Sequence, residues 1–192
     1  MASLAEVERE ASVCTRCALA AGRTHVVFGV GDPAADLMFV GEGPGAQEDL
    51  QGEPFVGRSG QLLDRLVFEE MGLTRDRFYI ANAVKCRPPG NRDPRPDEIA
   101  TCRPWLESQV ELIDPGVVVT LGNFATKLLL DTTEGISRMR GRAYPFRNGM
   151  VVPTFHPAAA LRSGAVTVAH MRADLVRAKQ ILARRDLREV TG

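Results

Sequence analysis

Four short apolar runs, each stopped by a glycine, a proline or a polar turn, constrain this chain more than any other feature. They are Leu37-Met38-Phe39-Val40, residues 78–84, Val117-Val118-Val119-Thr120-Leu121 and residues 150–155. Runs of this length bounded by turn residues read as buried strands. The stretches between them carry helix signals. Ser59 is a candidate N-cap for a segment that stops near Gly72, and Pro96-Asp97-Glu98 opens another with proline and acids in its first turn. A short helix is predicted over Asn123–Leu130 and a terminal one over about residues 166–184. Strands alternating with helices imply right-handed crossovers and a mainly parallel sheet with four core strands, covered on both faces. The class is α/β. No repeat or linker divides the chain, and 192 residues leave room for one domain, 1–192.

Two protein classes drop out early. No stretch approaches the roughly 20 apolar residues needed to span a bilayer. The opening MASLAEVEREAS is acidic and lacks the basic-then-apolar layout of a secretory signal, so a cytoplasmic location is expected. The formal net charge is zero but unevenly spread. Residues 1–84 hold 7 basic and 13 acidic side chains, residues 85–192 hold 17 and 11, so the halves carry −6 and +6. Such asymmetry can build one basic face for nucleic acid. Arg87, Arg92, Arg138, Arg140, Arg142, Arg147 and Arg162 all belong to the basic half.

The four cysteines are Cys14, Cys17, Cys86 and Cys102. In a reducing compartment a C-x-x-C pair with two further cysteines reads as a metal site before it reads as disulfides. The second pair is widely spaced, which leaves zinc and an iron–sulfur cluster both open.

Parallel sheets bind ligands at the carboxyl ends of their strands. Three unusual features fall at such ends. Gly41-Glu42-Gly43-Pro44-Gly45 is a glycine-rich turn that lacks both P-loop and G-x-G-x-x-G spacing, so a nucleotide phosphate cradle is disfavoured. Asn82 places an amide in an apolar strand, where it is costly unless hydrogen-bonded. His156 follows the fourth apolar run and precedes a proline. Between the first two lies Phe55, in a Gly/Pro-rich loop where it is expected to stack on a planar ligand rather than join the core. An amide such as Asn82 offers an adjacent acceptor and donor, which complement N3–H and O4 of uracil and oppose the pattern of cytosine. A histidine at His156 can donate to an oxygen where charge grows as a base departs. Leu161-Arg162 reads either as a pair leading a helix or as a wedge and a phosphate contact for a flipped nucleotide.

Cys14-x-x-Cys17, GEGPGAQEDLQGEPFVGRSGQLL at 41–63, NAVKCRPPGNR at 82–92, CRPWL at 102–106, LGNFATK at 121–127 and TFHPAAALR at 154–162 together resemble the family 4 uracil-DNA glycosylases. The resemblance covers about residues 14–162 in order. It implies a three-layer α/β/α sandwich, a 4Fe–4S cluster on Cys14, Cys17, Cys86 and Cys102, and hydrolytic release of uracil from DNA by a monomer without redox chemistry. It further implies uracil contacts from Gly41, Glu42, Gly43, Phe55, Asn82 and His156, with DNA contacts expected from Leu161, Arg162, Arg87 and Arg92. Gly43 stands where the best-known glycosylase family has a water-positioning Asp. Glu42 is therefore expected to orient the water, with Asp49 as second choice. Ala160 is smaller than the expected wedge residue, which shifts that role to Leu161. The competing expectation is a DNA-binding relative with little turnover.

Overall fold

In the computed structural model, which describes residues 3–191 of the chain, successive residues of each predicted strand fall into different cores. Residues 1, 2 and 192 of the expected domain span lie outside the described residues. In chain order the elements are α1 (Leu4–Ser12), β1 (Val30–Gly31), β2 (Leu37–Gly41), α2 (Ala46–Gln51), α3 (Arg58–Met71), β3 (Tyr79–Asn82), α4 (Pro96–Ile113), β4 (Val117–Leu121), α5 (Asn123–Leu130), α6 (Ile136–Met139), β5 (Tyr144–Phe146), β6 (Gly149–Thr154), α7 (Pro157–Ser163) and α8 (Ala165–Thr191). The sheet order is β1-β3-β2-β4-β6-β5.

Leu37, Phe39, Ile80, Val117, Val119, Leu121 and Val152 join one core with Leu63, Leu66, Met171 and Leu175 from α3 and α8. Met38, Val40, Tyr79, Ala81, Val118 and Val151 join the other with Leu106, Val110 and Ala125 from α4 and α5. This period-2 alternation is what a sheet covered on both faces requires. Each large side chain removed from water contributes roughly 1.5–3 kcal/mol.

The parallel core β3-β2-β4-β6 is the predicted one. The sheet has six strands rather than four, because β1 and β5 add antiparallel edges. β1 is two residues long and β5 contains Pro145, so neither leaves a hydrophobic run to read. The second strand ends at Asn82, although the amides of Ala83 and Val84 still donate to the carbonyls of Gly41 and Glu42 (2.9 and 3.0 Å). The fourth ends at Thr154, one residue before Phe155. Gly57, not Ser59, caps α3, and Gly72 stops it in the left-handed region. The Ser3–Glu6 capping box that starts α1 is a sequence signal the expectations above did not use.

Candidate active site

The carboxyl ends of β2, β3 and β6 open into one cleft of about 420 Å³, lined by Glu42, Gly43, Glu48, Phe55, Asn82, Asn91, Asp93, His156 and Arg162 among others. Gly41 is required by close approach. A Cβ there would lie 2.5 Å from both Asn82 Oδ1 and Phe55 Cζ. The base of the cleft is thus a convergence of backbone, amide and aromatic ring.

Phe55 adopts a left-handed backbone (φ 55°), which costs a non-glycine residue about 1–3 kcal/mol unless its surroundings impose it. They do. Glu48 Oε1 accepts from the amides of Val56 and Gly57 (3.0 and 2.9 Å). The Arg75 guanidinium donates to the carbonyls of Pro54 and Phe55. Gly60 of α3 lies so close that any Cβ would collide with the Phe55 carbonyl. The ring is buried and belongs to the core as well as to the cleft, which corrects the expectation that it stands apart from the core. Its centroid lies 5.7 Å from that of His156, tilted by 31°.

Asn82 is 1% exposed, and its Oδ1 has no hydrogen-bond partner among the described residues. A buried acceptor left unpaired costs about 1–3 kcal/mol. Such an atom at a cleft wall is suited to a ligand's N–H.

His156 caps α7, its Nδ1 accepting from the Ala158 amide (3.1 Å). This bond assigns the proton to Nε2. Burial, with the positive charge of Arg162 acting the same way and Glu48 partly opposing, pushes the imidazolium down to about 4. The ring is therefore neutral near pH 7 and offers Nε2–H as a donor. Burial pushes the Glu42 carboxyl up to about 7, with the negative charge of Asp93 adding to the rise.

Other expected site residues have different places. Asp49 is buried away from the cleft lining, its Oδ1 accepting from the amides of Thr24 and His25 (2.8 and 3.4 Å). It staples the loop before β1 and lies outside the cleft, which corrects the expectation that it could orient the water. Its neighbour Glu48, which was not among the expected site residues, faces the cleft instead. Adjacent residues on a helix point about 100° apart, so α2 sends the two carboxylates to different loops. Arg92 lines the cleft but is committed to Glu98, with Nη1 and Nη2 at 2.8 and 2.6 Å from its carboxylate. That bond holds the Glu98 carboxyl down at about 2 despite its burial. Arg140 makes a similar pair with buried Asp174. Arg87 Nε donates to Asn91 Oδ1 (2.7 Å). Arg162 lies on the cleft wall, and Leu161 beside it is 43% exposed.

The four cysteines, separated by up to 88 positions in sequence, line one small cavity with Arg16, Arg23, Lys85 and Trp105. None of the four is paired in a disulfide. Among the described residues no group of three or more His, Cys, Asp or Glu side chains is arranged for a single metal ion. A cubane cluster spreads its thiolates more widely than one ion does, and the donors around these sulfurs suit such a group. The Lys85 amide donates to Cys102 Sγ (3.2 Å), and Arg23 Nη1 to Cys86 Sγ (3.4 Å). Burial lowers the Lys85 ammonium to about 7, with Cys102 and Cys86 opposing. A backbone amide and the Arg23 guanidinium donating to the Cys102 and Cys86 sulfurs fit thiolates that carry net negative charge.

The Uracil DNA glycosylase superfamily model matches residues 28–178. A type-4 uracil-DNA glycosylase of Sulfurisphaera tokodaii is 45% identical over 84% of this chain and 77% of its own length. One from Thermotoga maritima is 45% identical over 82% of each chain. A type-5 uracil-DNA glycosylase of Thermus thermophilus is more distant, at 34% identity over 66% of this chain and 62% of its own. The sheet, the cleft at its carboxyl edge and these similarities lead to one assignment: the chain belongs to the uracil-DNA glycosylase superfamily and, within it, to the type-4 enzymes.

Proposed function

We propose that this protein hydrolyses the N-glycosidic bond of deoxyuridine in DNA, releasing uracil and leaving an abasic site for base-excision repair. The unpartnered, buried Oδ1 of Asn82 carries this reading. Uracil N3–H supplies the donor that this oxygen lacks, and the Asn82 amide group donates to O4. Phe55 covers a face of the ring, while Gly41 and Gly43 let the backbone approach it. The target nucleotide must leave the duplex to reach this cleft, at a cost of a few kcal/mol of unstacking. Leu161 fills the space left in the stack, and Arg162 holds a neighbouring phosphate. Arg87 is a further phosphate contact, whereas Arg92 and Arg140 serve the fold through their buried carboxylate partners.

As the C1′–N1 bond breaks, the sugar gains oxocarbenium character and the electron pair passes to uracil. Asn82 occupies the O4 edge, so His156 Nε2–H stabilises charge at O2. Water oriented by the Glu42 carboxylate attacks C1′ and gives up a proton to it, and uracil leaves as the anion, which solvent then protonates. Incubation of an oligonucleotide containing one deoxyuridine, followed by alkali, tests the reading. Strand cleavage is expected without nucleotide or added divalent metal, and an uncut strand would favour a DNA-binding relative without turnover.

The protein also binds a 4Fe–4S cluster through Cys14, Cys17, Cys86 and Cys102. The cluster supplies cross-links between the N-terminal arm, the loop after β3 and α4. Its role is structural, and the enzyme works as a monomer. Cys102→Ser is expected to lose most of the iron and sulfide and to lower the unfolding temperature, both measurable on purified protein. A colourless, fully active preparation containing zinc or no metal would contradict this. A cytoplasmic location fits action on DNA and cysteines that serve a cluster rather than disulfides. No described helix is long and apolar enough to cross a membrane.

Because Glu42 titrates near 7 and the His156 ring stays neutral above about 4, the rate should rise with pH through about 7 and then level off. The base form of Glu42 is the one that orients water. Glu42→Gln is expected to lower the plateau about 100-fold and to abolish the inflection in single-turnover profiles.

A further inference from the structure

Lys85 joins the cysteine cavity to the base-reading strand. Its side chain is among the most deeply buried in the molecule, at 1% exposure. Nζ donates to the backbone carbonyl of Asn82 (2.9 Å) and to Gln109 Oε1. Gln109, on α4, is itself fully buried, and its Nε2 donates to the Phe28 carbonyl (2.9 Å) and to the Tyr79 hydroxyl (3.3 Å). The Phe28 ring lies 5.6 Å from the ammonium. The backbone amide of the same lysine donates to Cys102 Sγ. No ion pair joins Lys85 to a carboxylate among the described residues.

Burying an ammonium without a carboxylate is expensive, and an apolar side chain of equal length would avoid that cost. What the lysine does that an apolar residue cannot is hold the Asn82 carbonyl. Asn82 Oδ1 has no hydrogen bond of its own, so the direction of the amide follows from the backbone that carries it. Gly41 lies close against the amide, since a Cβ there would lie 2.5 Å from its Oδ1. Lys85 holds the carbonyl of the same residue.

We propose that Lys85 is a positioning residue for base recognition, fixing the Asn82 peptide so that its amide meets uracil in register. The proposal rests on Asn82 being the base reader. A misplacement of about 1 Å in such a group costs about 100-fold in rate, whereas a residue that only fills the core would change rate and stability together.

The test is Lys85→Met, which keeps the stem and removes the ammonium, combined with Asn82→Ala in a double-mutant cycle. Lys85→Met should retain its iron and lower uracil excision about 30- to 100-fold, with reduced selectivity against cytosine. In the Asn82→Ala background the same change should alter the rate less than about twofold. Fully additive losses, or an unchanged rate in the single variant, would overturn the proposal. Hydrogen exchange supplies a readout independent of activity. Amides of residues 82–85 should exchange at least about tenfold faster in the variant, with Val117–Leu121 unaffected. Unchanged exchange at 82–85 would refute the role of Lys85 even if uracil is excised. Faster exchange without any uracil release from wild-type protein would refute the uracil reading and leave the strut in place. Lys85→Gln, too short to reach the carbonyl, is read the same way if the methionine variant does not fold. Failure of both to fold would assign Lys85 to the core and reject the proposal.

Discussion

Replacing His156 with alanine is expected to slow uracil release about 100- to 1000-fold while leaving affinity for uracil-containing DNA within a few-fold of wild type. The Nδ1 bond to the Ala158 amide leaves Nε2–H as the donor, and burial keeps the ring neutral at working pH. The uracil oxygen gains most of its negative charge only as the glycosidic bond breaks. A donor placed there therefore stabilises the transition state far more than the bound substrate. The ring, fixed by its bond to the Ala158 amide, needs little reorganisation as that charge develops. Single-turnover rates, set against binding of an oligonucleotide with non-cleavable 2′-fluoro-deoxyuridine, separate the two effects. Equal losses in rate and affinity would make His156 a residue that only orients the base. Alanine also removes the cap of α7, worth about 1 kcal/mol, which thermal unfolding measures separately.

Asn82→Asp should lower uracil excision about 1000-fold at neutral pH and narrow the preference for uracil over cytosine. The amide donates at one position and accepts at the other, whereas a carboxylate can only accept and would face O4 with a negative charge. A site built around a specific polar edge loses several orders of magnitude when that match fails, because buried groups on both sides are left unpaired. The buried carboxyl of the variant would resist ionisation, since desolvation disfavours its charged form. Its neutral form regains one donor, so the deficit should shrink as pH falls. That trend is opposite to the one Glu42 imposes on wild type. Excision of uracil and cytosine from matched oligonucleotides across this pH range measures both effects. Unchanged uracil activity in a folded variant would show that another group reads the base.

Both residues were legible in the sequence because each breaks a local rule. Asn82 interrupts an apolar strand, and His156 sits between a strand and a proline at the edge where parallel sheets bind ligands. Phe55 was legible as a ring in a loop, but not its second membership in the core. That membership depends on Gly60 and Arg75, which meet the loop from α3 and from the turn before β3. The choice between Glu48 and Asp49 was not legible. The two differ by one position on a short helix, and only the loops packed against α2 decide which carboxylate reaches the cleft. The pairing of Arg92 with buried Glu98 was not legible either, because its partner is set by how the loop packs on α4.

The amino-acid pattern by itself determined the four parallel strands, the helices between them and the edge at which ligands bind. Apolar periodicity and capping residues act over a few neighbours, so a linear reading captures them. Only the tertiary structure decided which tautomer His156 adopts, that Phe55 also joins the core, and that Lys85 connects the cysteine cavity to Asn82. Those outcomes depend on burial and on partners far away in sequence. A side chain's charge and hydrogen bonds are set by what surrounds it in space, which no local pattern encodes.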